Sequence, residues 1–343
     1  MATLLDASAL TSGRKRRINP VPTEGDNGVY TQSWFPVCLS DEVEVGKLTG
    51  REFLGGRIVI YRDTAGVAHV VSAFCPHLGA DLSVGDVVGD NVRCPFHHWE
   101  YNSHGRCVRT KVGDPAPGAA ALFKFPTLER FGMIFAFNGE EPLFDFPSPY
   151  PYADDDLLMI TRRALVIDCD GWVFSANTPD MQHLKALHGV SFLHEDPHSL
   201  VRWHEWGFDY DFEGVTGEDK GSAPLSWKLG IYGSNIFYQM GTHTDRWYGV
   251  LVPFGCMRPN KSEVFMTILT TKGDGSPEAI AKAEGFLDEM MRFEQSILNE
   301  DSPILNSIHY KPGTLTKSDK SLARFLDFMR AYPRAHPSAD FID

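Results

Sequence analysis

Cysteine is scarce in this chain, six in 343 residues: Cys38, Cys75, Cys94, Cys107, Cys169 and Cys256. That is too sparse for a disulfide scaffold. No apolar run approaches the roughly 20 residues needed to span a bilayer, which excludes a membrane-spanning helix. An apolar segment is also missing behind the basic cluster Arg14-Lys15-Arg16-Arg17, so that cluster does not read as a secretory leader. Positive charge is in deficit, with 32 Lys and Arg against 45 Asp and Glu and a net charge of −13. Nucleic acid is thereby disfavoured as the main partner, because phosphate binding draws on clustered Lys and Arg. Internal repeats and low-complexity tracts are lacking too. The expectation is a cytoplasmic protein of ordinary globular composition, 43% apolar and 22% charged, long enough for two domains.

Residues 1–28 are polar and read as a mobile or wrapping arm. From Trp34 to about Phe137 the chain shows short strand patterns broken by turns, such as Arg57–Tyr61, a turn at Asp63–Gly66, then Ala68–Val71. The spacing predicts a small all-β domain over 29–145. The Pro-, Asp- and Tyr-rich stretch 140–156 reads as a linker. Over 146–343 strand patterns recur at 165–169, 201–211, 231–240, 247–252 and 264–270. Helical segments interrupt them near 179–188 and 277–300. The fold class expected is α+β, an antiparallel sheet with packed helices following the all-β domain.

Chemistry concentrates first at Cys75-Pro76-His77 and Cys94-Pro95-Phe96-His97, a C-x-H-x16-C-x2-H pattern. Each arm offers one thiolate and one imidazole, and Pro76, Gly79 and Pro95 place both arms on turns. Zinc fingers usually pair like ligands on one arm. Mixed arms suit a [2Fe–2S] cluster with Cys75 and Cys94 on one iron and His77 and His97 on the other; exchanging two thiolates for neutral imidazoles raises its potential. A zinc site of the same four residues stays open. His98 is a tempting further ligand, but with four positions filled it reads as a packing or hydrogen-bonding residue.

A second constellation lies in Asn177-Thr178-Pro179-Asp180-Met181-Gln182-His183-Leu184-Lys185-Ala186-Leu187-His188-Gly189. Thr178 reads as an N-cap with Pro179 in the first helical position, and Gly189 as a stop. At 100° per residue, His183 and His188 lie about 140° apart on an ideal helix. They reach one metal only if the helix widens or ends before His188, so a distorted helix end is predicted. Two imidazoles need an oxygen ligand to complete the facial triad of non-haem Fe(II) sites. The stripe Phe286, Met290, Phe293, Ile297 continues to Asp301, a carboxylate costly to bury unless a cation meets it. Glu294 and Glu300 fall off that stripe. Asp301 is therefore the candidate third ligand, the alternative being a solvated Asp at the helix end.

Cys-Pro-His-Leu-Gly-Ala from Cys75 and Cys-Pro-Phe-His-His-Trp from Cys94 resemble the cluster loops of Rieske proteins, specifically the oxygenase branch. Asp180-x2-His183-x4-His188, with Asn177 three residues ahead, and Glu-Asp-Ser-Pro at 300–303 resemble the catalytic-domain motifs of that family. The family has Gly where His98 stands. The loops look most like those of monooxygenase members that hydroxylate 3-ketosteroid rings or oxidise arylamines.

The resemblance implies a terminal (alpha) oxygenase component whose cluster relays single electrons to a mononuclear Fe(II), where O2 is activated. Electrons come from NAD(P)H through a ferredoxin or ferredoxin reductase. It implies a homotrimer in which His97 of one subunit reaches Asp180 of the next, Asp180 also touching His183, with Asp180 and Asn177 as catalytic residues. The reaction implied is monooxygenation of a hydrophobic cyclic substrate; O- or N-demethylation and desaturation are alternatives, and an electron carrier or a zinc-stabilised binding module represents other classes. Arg93, Arg106, Arg109 and Lys111 flank the second loop, either as a basic patch for an acidic donor or as scattered solvated charges. Leu184, Leu187 and Phe192 are pocket candidates beside the histidines. Trp227, Tyr232, Phe237, Tyr238, Trp247 and Tyr248 on the catalytic strands point to an apolar cavity, although each taken singly reads as core more readily than as pocket.

Overall fold

The computed structural model describes residues 20–217, 224–311 and 315–343. Residues 1–19 of the expected arm, with the Arg14–Arg17 cluster, lie outside them. The fold class is α+β, an all-β part leading into an antiparallel sheet covered by helices. In the first part, Leu48–Phe53, Gly56–Arg62, Ala68–Ser72 and Lys124–Phe125 form one sheet, and Trp34–Leu39, Thr127–Arg130 and Met133–Phe137 another. Their alternating apolar residues, among them Phe53, Ile58, Ile60, Val70, Phe125 and Ile134, fill a common core. A smaller sheet of Asp86–Val88, Asn91–Arg93, Glu100–Tyr101 and Cys107–Arg109 carries the two Cys-His loops at its ends.

The second part is a long antiparallel sheet, eight-stranded among the described residues. Its order is Leu157–Ile167, Lys261–Thr271, Arg246–Arg258, Ile236–His243, Pro224–Tyr232, Gly207–Val215 and Ser191–Phe192, with Arg202–His204 also pairing to Gly207–Val215. Four helices accompany it: α1 (Gly171–Ser175), α2 (Met181–Ala186), α3 (Pro277–Leu305) and α4 (Lys320–Ala331). Ser276 caps α3 through Ala279 N–H, with Pro277 in the first turn.

Period two decides what each face of the sheet does. Trp227, Leu229, Ile231, Phe237, Tyr248 and Val250 point to the helices, while Tyr232, Ile236, Tyr238, Trp247 and Leu251 point to the first part. So Tyr232, Tyr238 and Trp247 take the core role and build the seam between the parts, together with Trp34, Phe135, Phe144 and Tyr150. Residues 140–156 are drawn into that seam, since Trp34 Nε1 donates to the Phe144 carbonyl at 3.0 Å and Tyr150 OH to that of Val250 at 2.6 Å. Arg163 adds an ion pair to Glu42 across it and pairs with Glu263 of its own sheet. Tyr30–Thr31 pairs with Arg334–Ala335, and Ile342 is buried in the first core, so both ends of the described chain fold back over the seam.

Three expected elements differ. The strand pattern over 201–211 is a hairpin, Arg202–His204 folding back onto Gly207–Val215. That over 231–240 is a second hairpin, turning at Gly233 with φ +61°, a left-handed conformation that glycine adopts without strain. The buried stripe of α3 is Ala283, Leu287, Met290, Met291, Glu294, Leu298, Asp301 and Leu305. Phe293, by contrast, is 42% exposed. The helix is rotated relative to the expected face, so Glu294 is on the stripe and Asp301 remains on it.

Candidate active site and cluster site

The two Cys-His loops are built alike. Gly79 N–H closes on the Cys75 carbonyl at 2.8 Å, and His98 N–H on the Cys94 carbonyl at 3.1 Å. Both closing residues are left-handed, Gly79 at φ +76° and His98 at φ +55°. His98 thus occupies the turn position that glycine fills in the first loop, a strain of order 1 kcal/mol for a side-chain-bearing residue. Cys75 and Cys94 are buried, whereas His77 is exposed and His97 half-buried. The rings of His77 and His97 lie 4.6 Å apart, and His77 stacks on Trp99 at 4.3 Å. Burial raises the Cys75 thiol pKa, opposed by its contact with Tyr101 OH at 3.0 Å. Two unbridged buried thiols beneath two outward imidazoles fit a cluster whose sulfur-ligated iron lies inside and whose histidine-ligated iron faces out.

The expected basic patch is partly neutralised. Arg93 pairs with Asp86, and Arg109 with Glu100 at 3.1 Å. Around the imidazoles the exposed surface is apolar instead, with Leu78 and Phe96 at 67% and 62% exposure.

In the second part, α2 starts later than expected. Asp180, not Thr178, is the N-cap, its carboxylate accepting from Gln182 N–H at 3.0 Å and His183 N–H at 3.3 Å. Pro179 precedes the helix. α2 ends at Ala186, and Gly189, at φ +66°, lets Val190 N–H reach the Leu184 carbonyl at 2.9 Å. This early ending swings His188 round to His183, ring centroids 5.2 Å apart. His183, His188 and Asp301 bring their ligand atoms within 4.8 Å of one another.

The ring contact expected from the Asp180 side chain is made by its backbone, whose carbonyl accepts from His183 Nδ1 at 2.7 Å. Burial pushes the His183 imidazole pKa down, favouring a neutral ring. On His188 burial opposes charge as well, but Asp301 and Glu300 outweigh it and raise the pKa. His188 Nε2 faces Asp301 Oδ1 at 3.3 Å, while Nδ1 faces Glu300 Oε2 at 2.9 Å. Two imidazoles and a carboxylate buried to 5% form a donor set suited to a divalent iron.

Asn177 and Asp180 line a surface cavity of about 390 Å³ with Trp172, Ile308, Leu322 and Arg330. Leu184 and Phe192 pack on the catalytic core, Leu187 is half-buried, and Phe192 also borders a second cavity of about 820 Å³ on the outer side of α2.

Sequence reasoning missed Glu300 and Glu294. Glu294 is buried against the sheet, where Gln239 Nε2 donates to it at 3.3 Å and to Tyr248 OH at 3.2 Å. Desolvation pushes its pKa up to about 7. In the unfolded chain the carboxyl ionises near 4.5, so folded protein retains a proton that unfolded protein loses between those values. Stability is therefore lost as pH rises from 4.5 through 7, by about 3 kcal/mol. Glu294→Gln cannot ionise and should raise the unfolding midpoint of chelator-treated protein at pH 8 but not at pH 4.5. Parallel pH curves for the two proteins would remove this assignment.

Residues 33–126 match the Rieske [2Fe-2S] domain family, which implies a [2Fe–2S] cluster. Cholesterol 7-desaturase nvd of Bombyx mori is 31% identical over 191 residues, 53% of this chain and 42% of that protein. The oxygenase component of 3-ketosteroid-9-alpha-monooxygenase of Rhodococcus rhodochrous is 32% identical over 123 residues, 35% of this chain and 32% of that one. The chain spans less than half the length of these curated relatives. The crystal structure of dicamba monooxygenase bound to dicamba shares the fold, with a TM-score of 0.66 at 18% identity over 88% of this chain and 97% of that one. The chain thus carries a Rieske domain and is similar to Rieske-type oxygenase components. Among the described residues no helix is long and apolar enough to cross a membrane.

Proposed function

We propose that this chain is the terminal oxygenase component of a multicomponent system, oxidising a hydrophobic cyclic substrate. Residues 29–145 form the cluster domain and 146–343 the catalytic domain. Cys75, His77, Cys94 and His97 would hold the [2Fe–2S] cluster, and His183, His188 and Asp301 the mononuclear iron. Electrons from NAD(P)H, delivered through the cluster by a ferredoxin or reductase, would let the ferrous ion activate O2. The chain itself supplies orientation. The Asp180 carbonyl holds His183 Nδ1, leaving Nε2 free to coordinate. The helix-facing aromatics Trp227, Phe237 and Tyr248 keep that side of the sheet apolar. The exposed Leu78 and Phe96 beside His77 and His97 suit a contact with an electron donor or a second copy. In a homotrimer, Asp180 at the 390 Å³ cavity would receive the neighbour's His97.

The observation that carries this reading is the convergence of His183, His188 and Asp301 on one point in a chain with a Rieske domain; an electron carrier has no use for it. Monooxygenation is the favoured reaction. Desaturation is the second reading, because the Bombyx mori relative is named a desaturase. Purified protein should be red-brown with a bleachable visible spectrum, contain iron beyond the cluster's pair, and consume O2 with a steroid or other cyclic hydrophobe when a reductase system is supplied. Iron limited to the cluster would leave only the electron-carrier reading.

A further inference from the structure

We propose that Glu300 is a positioning residue for the mononuclear metal, accepting the Nδ1 proton of His188 and so presenting the Nε2 lone pair to the ion. The inference rests on reading His183, His188 and Asp301 as the ligand set. An imidazole binds a metal through an unprotonated nitrogen, so its single proton must sit on the other one, and an acceptor there fixes both tautomer and ring angle. The two histidines of this site meet that need differently. His183 Nδ1 is held by a peptide carbonyl, that of Asp180, at 2.7 Å. His188 Nδ1 is held by a carboxylate, Glu300 Oε2, at 2.9 Å, while its Nε2 faces Asp301 Oδ1.

Glu300 and Asp301 are consecutive on α3, so their side chains leave the helix about 100° apart. Asp301 points inward, with its side chain 6% exposed; that of Glu300 is 37% exposed and reaches the far edge of the same buried ring. One helical step thus supplies both a carboxylate on the metal side of His188 and a carboxylate behind it. The anion behind the ring gives the site a second negative charge against a divalent cation. This makes the ion's grip depend on a residue that does not touch it.

The test uses protein carrying its cluster, stripped of mononuclear metal by a chelator and titrated with ferrous iron against a competing chelator. Glu300→Ala is expected to raise the Kd for Fe(II) by about 10–100-fold. It should also shift the near-infrared magnetic circular dichroism bands of the bound ferrous ion. Glu300→Gln, which keeps the shape but not the charge, should fall between Ala and wild type. Unfolding midpoints of the metal-free proteins should match. Wild-type Kd and bands in Glu300→Ala, alongside lost binding in His188→Ala, would overturn the role of Glu300 alone. Unchanged binding in His188→Ala as well would remove the metal centre itself, and this inference with it.

Discussion

Asp301→Ala should purify with an intact visible chromophore, no mononuclear iron and no substrate-dependent O2 uptake. The carboxylate lies on the buried stripe of α3, 5% exposed, facing His188 Nε2 at 3.3 Å. Removing it leaves two imidazoles and no carboxylate in the ligand set, and a dication loses both a ligand and its nearest charge partner. Outer residues that only orient a ligand already change affinity by 10–100-fold, so iron binding should weaken by at least about 100-fold. The cluster loops belong to a separate core, so their spectrum reports that the first part has folded, and an unchanged far-UV spectrum reports the rest. Normal iron content and turnover in this variant would exclude Asp301 as a ligand.

Asp180→Asn should keep both metal sites loaded yet lose most coupled turnover, at least about 100-fold. The substitution is selective because of what the carboxylate does locally. It caps α2 through Gln182 and His183 N–H, and Asn caps about as well as Asp. The hydrogen bond to the His183 ring comes from the backbone and survives any side-chain change. Only the charge facing the 390 Å³ cavity is lost. Asp180→Ala, in contrast, removes the cap too and should cost about 1 kcal/mol of stability. Cluster reduction should proceed at the wild-type rate in the Asn variant, with the block between cluster and iron. Undiminished product formation there would end the proposal that Asp180 joins the two centres.

Several features of the site are legible in the amino-acid order because they are local. Cys75 to His77 and Cys94 to His97 each lie within one loop, and the proline and glycine beside them dictate turns. His183 and His188, five residues apart, cannot share an ideal helical face, so helix geometry predicts a widened or shortened helix, and the structure takes the second course by ending α2 at Ala186. Asp301 lies both on the stripe expected from the apolar spacing and on the neighbouring track that α3 buries.

What escapes the sequence depends on which face packs against what. Gly233-Ser234-Asn235 interrupts the apolar pattern, but the register of the turn is set by the pairing of Ile231 with Phe237 and Tyr232 with Ile236. The division of six aromatics between cavity side and seam follows from strand register, since a shift of one residue would exchange the two sets.

The chain's own order of residues determined two metal-binding chemistries, each encoded in short ligand spacings, and an α+β architecture through its changing apolar period. Tertiary structure alone decided the rotation of α3. That rotation buried Glu294, set Asp301 against His188 and brought Glu300 to the ring's other nitrogen, across 112 residues of chain. Helical periodicity allows several faces, and only packing against the sheet selects one.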